Sequence, residues 1–226
     1  MPTGSGLVIE VFADIWCPFA HAGLHELRAQ IEESGRTDVV VRVRAWPLEL
    51  INGHPQDPVT TVEHAAELRE QVAPSLFQHF DVDHFPASTL EALALVERAY
   101  RIDPASGERA SFDLRHALFE SGQDVSDLAV LEGIASQLGV PMPDDDDRAA
   151  VLADWDDGQS RGVVGSPHYF CGDADAFCPS LDISREAGGG LSITRDTARM
   201  ADFLARCLAL TPTPPADGSG TESGHG

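Results

Sequence analysis

Apolar and polar positions divide the chain into a mixed N-terminal stretch, a long helical block and a second mixed stretch. Leu7 to Ala13 reads Leu-Val-Ile-Glu-Val-Phe-Ala, a β-favouring run ending at Asp14, and predicts a strand buried on both faces. Pro18 then opens a helix whose apolar positions Ala20, Leu24, Leu27 and Ile31 share one face, with Gly35 placed to end it. From Val39 to Trp46 β character returns, with valines 39, 41 and 43 on one side and Arg42 and Arg44 on the other. The first 50 residues thus predict a right-handed parallel βαβ unit.

Between Thr60 and Asp157 only helices are expected, four or five of them, including Leu90 to Tyr100, Ala110 to Phe119 and Leu128 to Leu138. Thr60-x-x-Glu63 and Ser88-x-x-Glu91 have the form of capping boxes, and Ser126 and an Asp of the Asp144 to Asp147 run can cap two more helices. Gly122 and Gly139 sit where helices would stop. Strand signals resume at Gly165 to Cys171, turn over Gly172 to Asp175 and return through Ala176 to Ile183, which predicts a loose β-hairpin. A last helix, Thr194 to Leu210, carries the stripe Met200, Phe203, Leu204, Cys207 and Leu208. Residues 211–226 are rich in Pro, Gly, Ser and Thr and are expected to be disordered. A βαβ half and a ββα half separated by helices fit an α/β protein with a helical lid, its ligand bound where the first strand ends.

Composition narrows the chemistry. The net charge of −22 disfavours nucleic acid as a partner, since phosphate contacts need a surplus of cations. All 15 cationic side chains are arginine. Without lysine there is no Schiff-base chemistry, no pyridoxal phosphate attachment and no Walker-type phosphate loop. The use of arginine alone, with abundant Ala, Gly and Asp, suggests a GC-rich bacterial genome. No apolar run reaches the roughly 18 residues needed to cross a bilayer, and residues 1–6 lack the cationic and apolar regions of a signal peptide. A cytoplasmic protein without a membrane partner is therefore expected.

The four cysteines, Cys17, Cys171, Cys178 and Cys207, lack the spacing of a disulfide scaffold or a zinc site and are judged singly. Cys17 stands at the end of the first strand, just before the Pro18 helix. Orphan N–H groups and the helix dipole favour a thiolate there, and such sites can lower a thiol pKa from ~8.5 towards roughly 3.5 to 7.5. His21, one turn later, could tune that thiol by pairing with it or with Asp14. Trp16 and Phe19 are expected to wall the thiol, and His168 could approach it. Cys171 and Cys178 flank the hairpin turn, and three readings stand for them: inert thiols, a regulatory disulfide, or a partner that resolves Cys17. Cys207 reads as core. His79, Asp81, Asp83 and His84 look like metal ligands only superficially, because neighbouring side chains point in different directions; no metal is expected.

Trp16-Cys17-Pro18-Phe19-Ala20 after a strand, then a helical stretch, then Gly165-Ser166-Pro167, resembles the DsbA-like branch of the thioredoxin superfamily over about residues 7–210. The resemblance is closest to FrnE-like oxidoreductases, 2-hydroxychromene-2-carboxylate isomerases and kappa-class glutathione transferases. It implies a thioredoxin-like fold over 1–57 and 158–210, with an all-helical insert at 58–157 between the βαβ and ββα halves. It also implies an attacking thiol at Cys17, supported by Asp14, Trp16, Pro18, Phe19 and His21. A cis Ser166–Pro167 bond would present Ser166, Pro167 and His168 to the substrate. The family's resolving thiol would fall at position 20, which is alanine. The implied activity is therefore thiol–disulfide exchange by a single thiol, with no bound cofactor and a small thiol of glutathione or mycothiol type, or a protein disulfide, as partner. The alternatives are a thiol-dependent transferase or isomerase and a scaffold without catalysis.

Overall fold

The computed structural model describes residues 7–209. In chain order the elements are β1 (Leu7–Ala13), α1 (Pro18–Glu33), β2 (Val39–Ala45), α2 (Leu48–Asn52), α3 (Pro58–Gln71), α4 (Leu90–Tyr100), α5 (Pro104–Phe119), α6 (Leu128–Leu138) and α7 (Asp145–Ser160). They continue with β3 (His168–Cys171), β4 (Ala174–Phe177), β5 (Leu181–Arg185), β6 (Leu191–Arg195) and α8 (Thr197–Ala209). The main sheet runs β2-β1-β3-β4, with β1 parallel to β2 and antiparallel to β3. Its two halves are thus a βαβ unit and a ββα unit, and helices α3 to α7 are inserted between them. This is a thioredoxin fold with a helical insertion.

Ile9, Val11 and Ala13 of β1 pack with Leu24 and Leu27 of α1 and with Met200, Phe203 and Cys207 of α8. On the other face Phe12, Trp46, Val163 and Phe170 form a smaller core against Trp155. Burial of β1 on both faces holds for its second half only: Val8 is 46% exposed and Glu10 sits at the surface between Arg44 and Arg161. The outer N–H groups of edge strand β2 are met by the insert, Val43 N donating to Tyr100 Oη (2.8 Å) and Ala45 N to Asp154 Oδ2 (3.0 Å). That cover removes an exposed strand edge.

Six helices lie between β2 and β3, five of them in the stretch from residue 58 onward, and several starts shift from the expected ones, earlier for α3 and α5 and to the residue after the expected cap for α4 and α6. Asp57-Pro58 and Asp103-Pro104 set the starts of α3 and α5, each Asp accepting a backbone N–H and each Pro entering the first turn. At α4 Thr89 holds the N-cap position without a side-chain cap bond, while the Ser88 hydroxyl donates to Glu49 Oε1 and accepts from Leu90 N (3.2 Å) at the start of the helix. Asp127, not Ser126, caps α6, while Asp144 and Asp147 form a reciprocal capping box on α7. The hairpin at the second half is shorter than expected, because Leu181 to Ile183 belongs to a separate two-stranded sheet, β5-β6. No helix among the described residues is long and apolar enough to cross a membrane. The stretch expected to be disordered lies outside the described residues.

Candidate functional site

The chain leaves β1 at Ala13, makes a turn through Asp14 to Trp16, and enters α1 with Cys17 as N-cap and Pro18 in the first turn. Cys17 keeps an extended backbone (φ −79°, ψ 111°), so its side chain stands over the helix start. Across from it the Ser166–Pro167 peptide bond is cis. The Cys17 thiol donates to Ser166 O at 3.1 Å, and Asp14 N donates to Ser166 Oγ at 3.0 Å. That serine oxygen thus accepts from Asp14 while its own proton remains available to the sulfur.

The thiol is buried, 4% exposed, and burial pushes its pKa up. Against this act the Ser166 hydroxyl, the N–H of Ala20 and the charge of Arg115, all favouring the thiolate, while the Asp14 carboxylate opposes it. The depressed pKa expected from the helix terminus is therefore corrected: desolvation outweighs the helix N–H groups in the resting protein. Ala20 itself is buried under the thiol's first turn and offers no second sulfur.

Asp14 is the knot of the site. It is fully buried, with Oδ1 accepting from Thr89 Oγ1 (2.6 Å) and Oδ2 from Leu48 N (2.6 Å). Burial raises its pKa to about 6, and the two hydrogen bonds and Arg115 limit the rise. Arg115, also fully buried, donates through Nη2 to Asp14 O (2.8 Å) and through Nη1 to Ser111 Oγ (2.7 Å). Its Nε has no partner, and burial lowers its pKa to about 10, so it stays cationic at neutral pH. Thr89 and Arg115 come from the insert and escaped the sequence reading. The available signal was an arginine on the inward stripe Ser111, Leu114, Arg115, Leu118 of α5.

Several candidates lie elsewhere. His21 pairs neither with Cys17 nor with Asp14: its Nε2 is 2.8 Å from Glu120 Oε1, and its ring packs on Phe77 and Phe119. Burial pulls its pKa down to about 4. Glu120, despite partial burial, is held at about 2 by hydrogen bonds from His21 and from the N–H groups of Phe77 and Gln78. At neutral pH this is a neutral imidazole donating to a carboxylate. Trp16 does not wall the thiol either; it is buried towards the insert, stacked on Phe85 at 5.6 Å. His168 faces the opposite side of the sheet, near Phe170 and bonded to Asp175 Oδ2 (3.1 Å).

All four cysteines are free and buried. Cys171 does not face Cys178, because its opposite number in the ladder is Ala174; it packs in the same core as Cys207 of α8 instead. Cys178 follows β4 with a left-handed backbone (φ 42°), and its N–H donates to Pro167 O at 3.0 Å. Burial, with the nearby Cys17, pushes its thiol up to about 12. Phe19, Ser166 and Cys178 line a cavity of about 370 Å³ together with His64, Phe177, Ile183, Ser184, Arg185 and Leu191. Among the described residues no group of three or more His, Cys, Asp and Glu side chains is placed to hold a metal ion.

The fold is similar to those of solved structures. A structure described as a "probable DsbA oxidoreductase" from Streptomyces coelicolor superposes with a TM-score of 0.64 at 16% identity, covering 94% of each chain. The cytosolic disulfide reductase DsbM from Pseudomonas aeruginosa, solved with GSH, gives 0.55 at 16% identity over 90% of this chain and 98% of that one. A 2-hydroxychromene-2-carboxylate isomerase gives 0.57 at 13% identity over 90% and 96%. No curated protein sequence matches. The DSBA-like thioredoxin domain description matches residues 8–186, and with a cysteine at the start of α1 facing a cis-proline loop, the chain belongs to the DSBA-like thioredoxin family.

Proposed function

We propose that the protein is a thiol–disulfide oxidoreductase working through the single thiol of Cys17. The carrying observation is the Cys17 Sγ placed 3.1 Å from Ser166 O at the cis-proline loop, with alanine at position 20. The thiolate attacks one sulfur of a disulfide R–S–S–R′; the S–S bond breaks, R′S⁻ leaves, and Cys17–S–S–R forms. With no second thiol in the first turn, an external thiolate attacks the R sulfur, releases the mixed product disulfide and returns the Cys17 thiolate. Arg115, the Ala20 N–H and the Ser166 hydroxyl stabilise that anion each time it forms. A small thiol fits this cycle as co-substrate, since it can enter a site where the sulfur is only 4% exposed.

The test is intact-mass trapping with bis(2-hydroxyethyl) disulfide. Wild type is expected to gain one adduct at Cys17 that a second thiol removes, and Cys17→Ser to gain none. Equal labelling of Cys17→Ser would overturn the reading. One observation favours a second reading: burial raises the Cys17 pKa, so the resting thiol is a neutral donor. Such a donor would stabilise the thiolate of a bound small thiol in a transferase or isomerase. Thiol-dependent isomerisation that survives in Cys17→Ser, without adduct formation in wild type, would establish that one.

A further inference from the structure

The arginines are almost all spoken for. Fourteen of the fifteen are held by a carboxylate or a backbone carbonyl within the described residues, from Arg28 with Glu108 to Arg206 with Asp202. Arg185 alone makes no ion pair and donates no side-chain hydrogen bond among the described residues. In a chain with 37 acidic residues and 15 basic ones, an unpaired guanidinium is the exception. It stands at the end of β5, where it lines the cavity of about 370 Å³ that shares Ser166 with the Cys17 thiol.

The rest of that lining suits a small molecule with an apolar body and one anionic end. Phe19, Phe177, Ile183 and Leu191 supply apolar surface, and Ser184 and His64 supply polar groups. Of the nearby acids, Glu67 accepts from Leu191 N through Oε1 (2.9 Å) while its buried Oε2 has no partner, and Glu63 and Glu67 act on His64. An arginine fork with free donors matches a carboxylate in two parallel hydrogen bonds. We propose that Arg185 makes this cavity the binding site for the carboxylate of an acidic small thiol or of its disulfide, whose sulfur then lies at Ser166 and Cys17. The inference rests on the exchange reading above and adds the substrate's charge class.

Three disulfides of similar length separate the charge classes: 3,3′-dithiodipropionate with two carboxylates, bis(2-hydroxyethyl) disulfide with none, and cystamine with two ammonium groups. Each rate of Cys17 adduct formation is divided by the rate of a free thiol with the same disulfide. Wild type is expected to rank acid above neutral above amine, against the protein's overall charge. Arg185→Ala should slow the acid by roughly threefold to tenfold, as an exposed charge-assisted contact is worth, and leave the neutral compound unchanged. Arg185→Glu should reverse the ranking. A flat wild-type ranking, or equal slowing of all three in Arg185→Ala, overturns the proposal while exchange stands. Binding of 3-(methylthio)propionate against 3-(methylthio)propan-1-ol, followed by NMR at the arginine Nε–H, needs no chemistry. Arg185-dependent preference for the carboxylate there, with no adduct at Cys17, would retain the site and remove the exchange reading; equal binding of both thioethers would remove the site.

Discussion

Asp14 and Arg115 act on the Cys17 sulfur with opposite signs, one from the turn before it and one from a helix of the insert. Replacing the cation, as in Arg115→Met, should slow iodoacetamide alkylation of Cys17 at pH 7 by about tenfold, and Arg115→Lys should restore most of the rate because it keeps the charge. Asp14→Asn should speed it, its amide still able to serve Leu48 N–H and Thr89 Oγ1. Peptide-resolved mass spectrometry reads the effect, with the other three cysteines as internal references; equal rates in all variants would refute it. The same carboxyl also shapes stability. Its folded pKa of about 6 exceeds an unfolded value near ~3.9, so its contribution is present below pH 4 and is lost as pH rises through 4 to 6. His21, at about 4 when folded against ~6.5 unfolded, contributes stability that is lost as pH falls through 6.5 to 4. Each shift of about two pH units corresponds to about 3 kcal/mol. Urea denaturation of Asp14→Asn should therefore show a steeper loss between pH 6 and 4 than wild type, and parallel curves would contradict this account.

Elements were legible wherever one periodicity or one stop signal acted alone. Strand β1, strand β2 and helix α1 follow directly from the alternation of Val39, Val41 and Val43 and from the face Ala20, Leu24, Leu27, Ile31. Helix starts were misplaced where two cap signals competed, because Asp57-Pro58 preorganises the first turn ahead of Thr60. The β5-β6 hairpin has its own alternation, Leu181 with Ile183 and Leu191 with Ile193 around three glycines, but it ran on from the preceding strand signal and was merged with it. The candidate site was legible at Cys17 from its position between strand and helix, and at Ser166 and Pro167 only through the family resemblance. It was not legible at Arg115 and Thr89, which reach Asp14 only through the packing of helices against the sheet. At this scale Gly158 of α7 offers a direct check. A Cβ there would meet Trp46 Cζ3 at 2.5 Å and Cε3 at 2.7 Å, so Gly158→Ala should cost about 1–3 kcal/mol in thermal or urea unfolding. No loss would mean that α7 can lift from the small core around Phe12 and Trp46 without penalty.

Across the whole molecule the charge of −22 is spread over a surface whose arginines, Arg185 excepted, are already committed to partners. Excess carboxylates then repel one another, and screening should relieve that repulsion. Raising NaCl from about 20 to about 200 mM is expected to raise Tm by several degrees, as read by differential scanning calorimetry; a fall would mean that the surface ion pairs outweigh the repulsion. The hydrogen bond from Arg115 to Asp14 O, across 101 residues of chain, bears on how such a protein can be rebuilt. A chimaera that takes its helical block from another family member inherits a foreign donor set for Asp14, and unless that block brings a hydroxyl and a guanidinium to the same two places, the grafted parent keeps Cys17 but loses the surroundings that let it ionise. The helical block is therefore not an interchangeable module, and the seams for recombination lie inside it rather than at its ends.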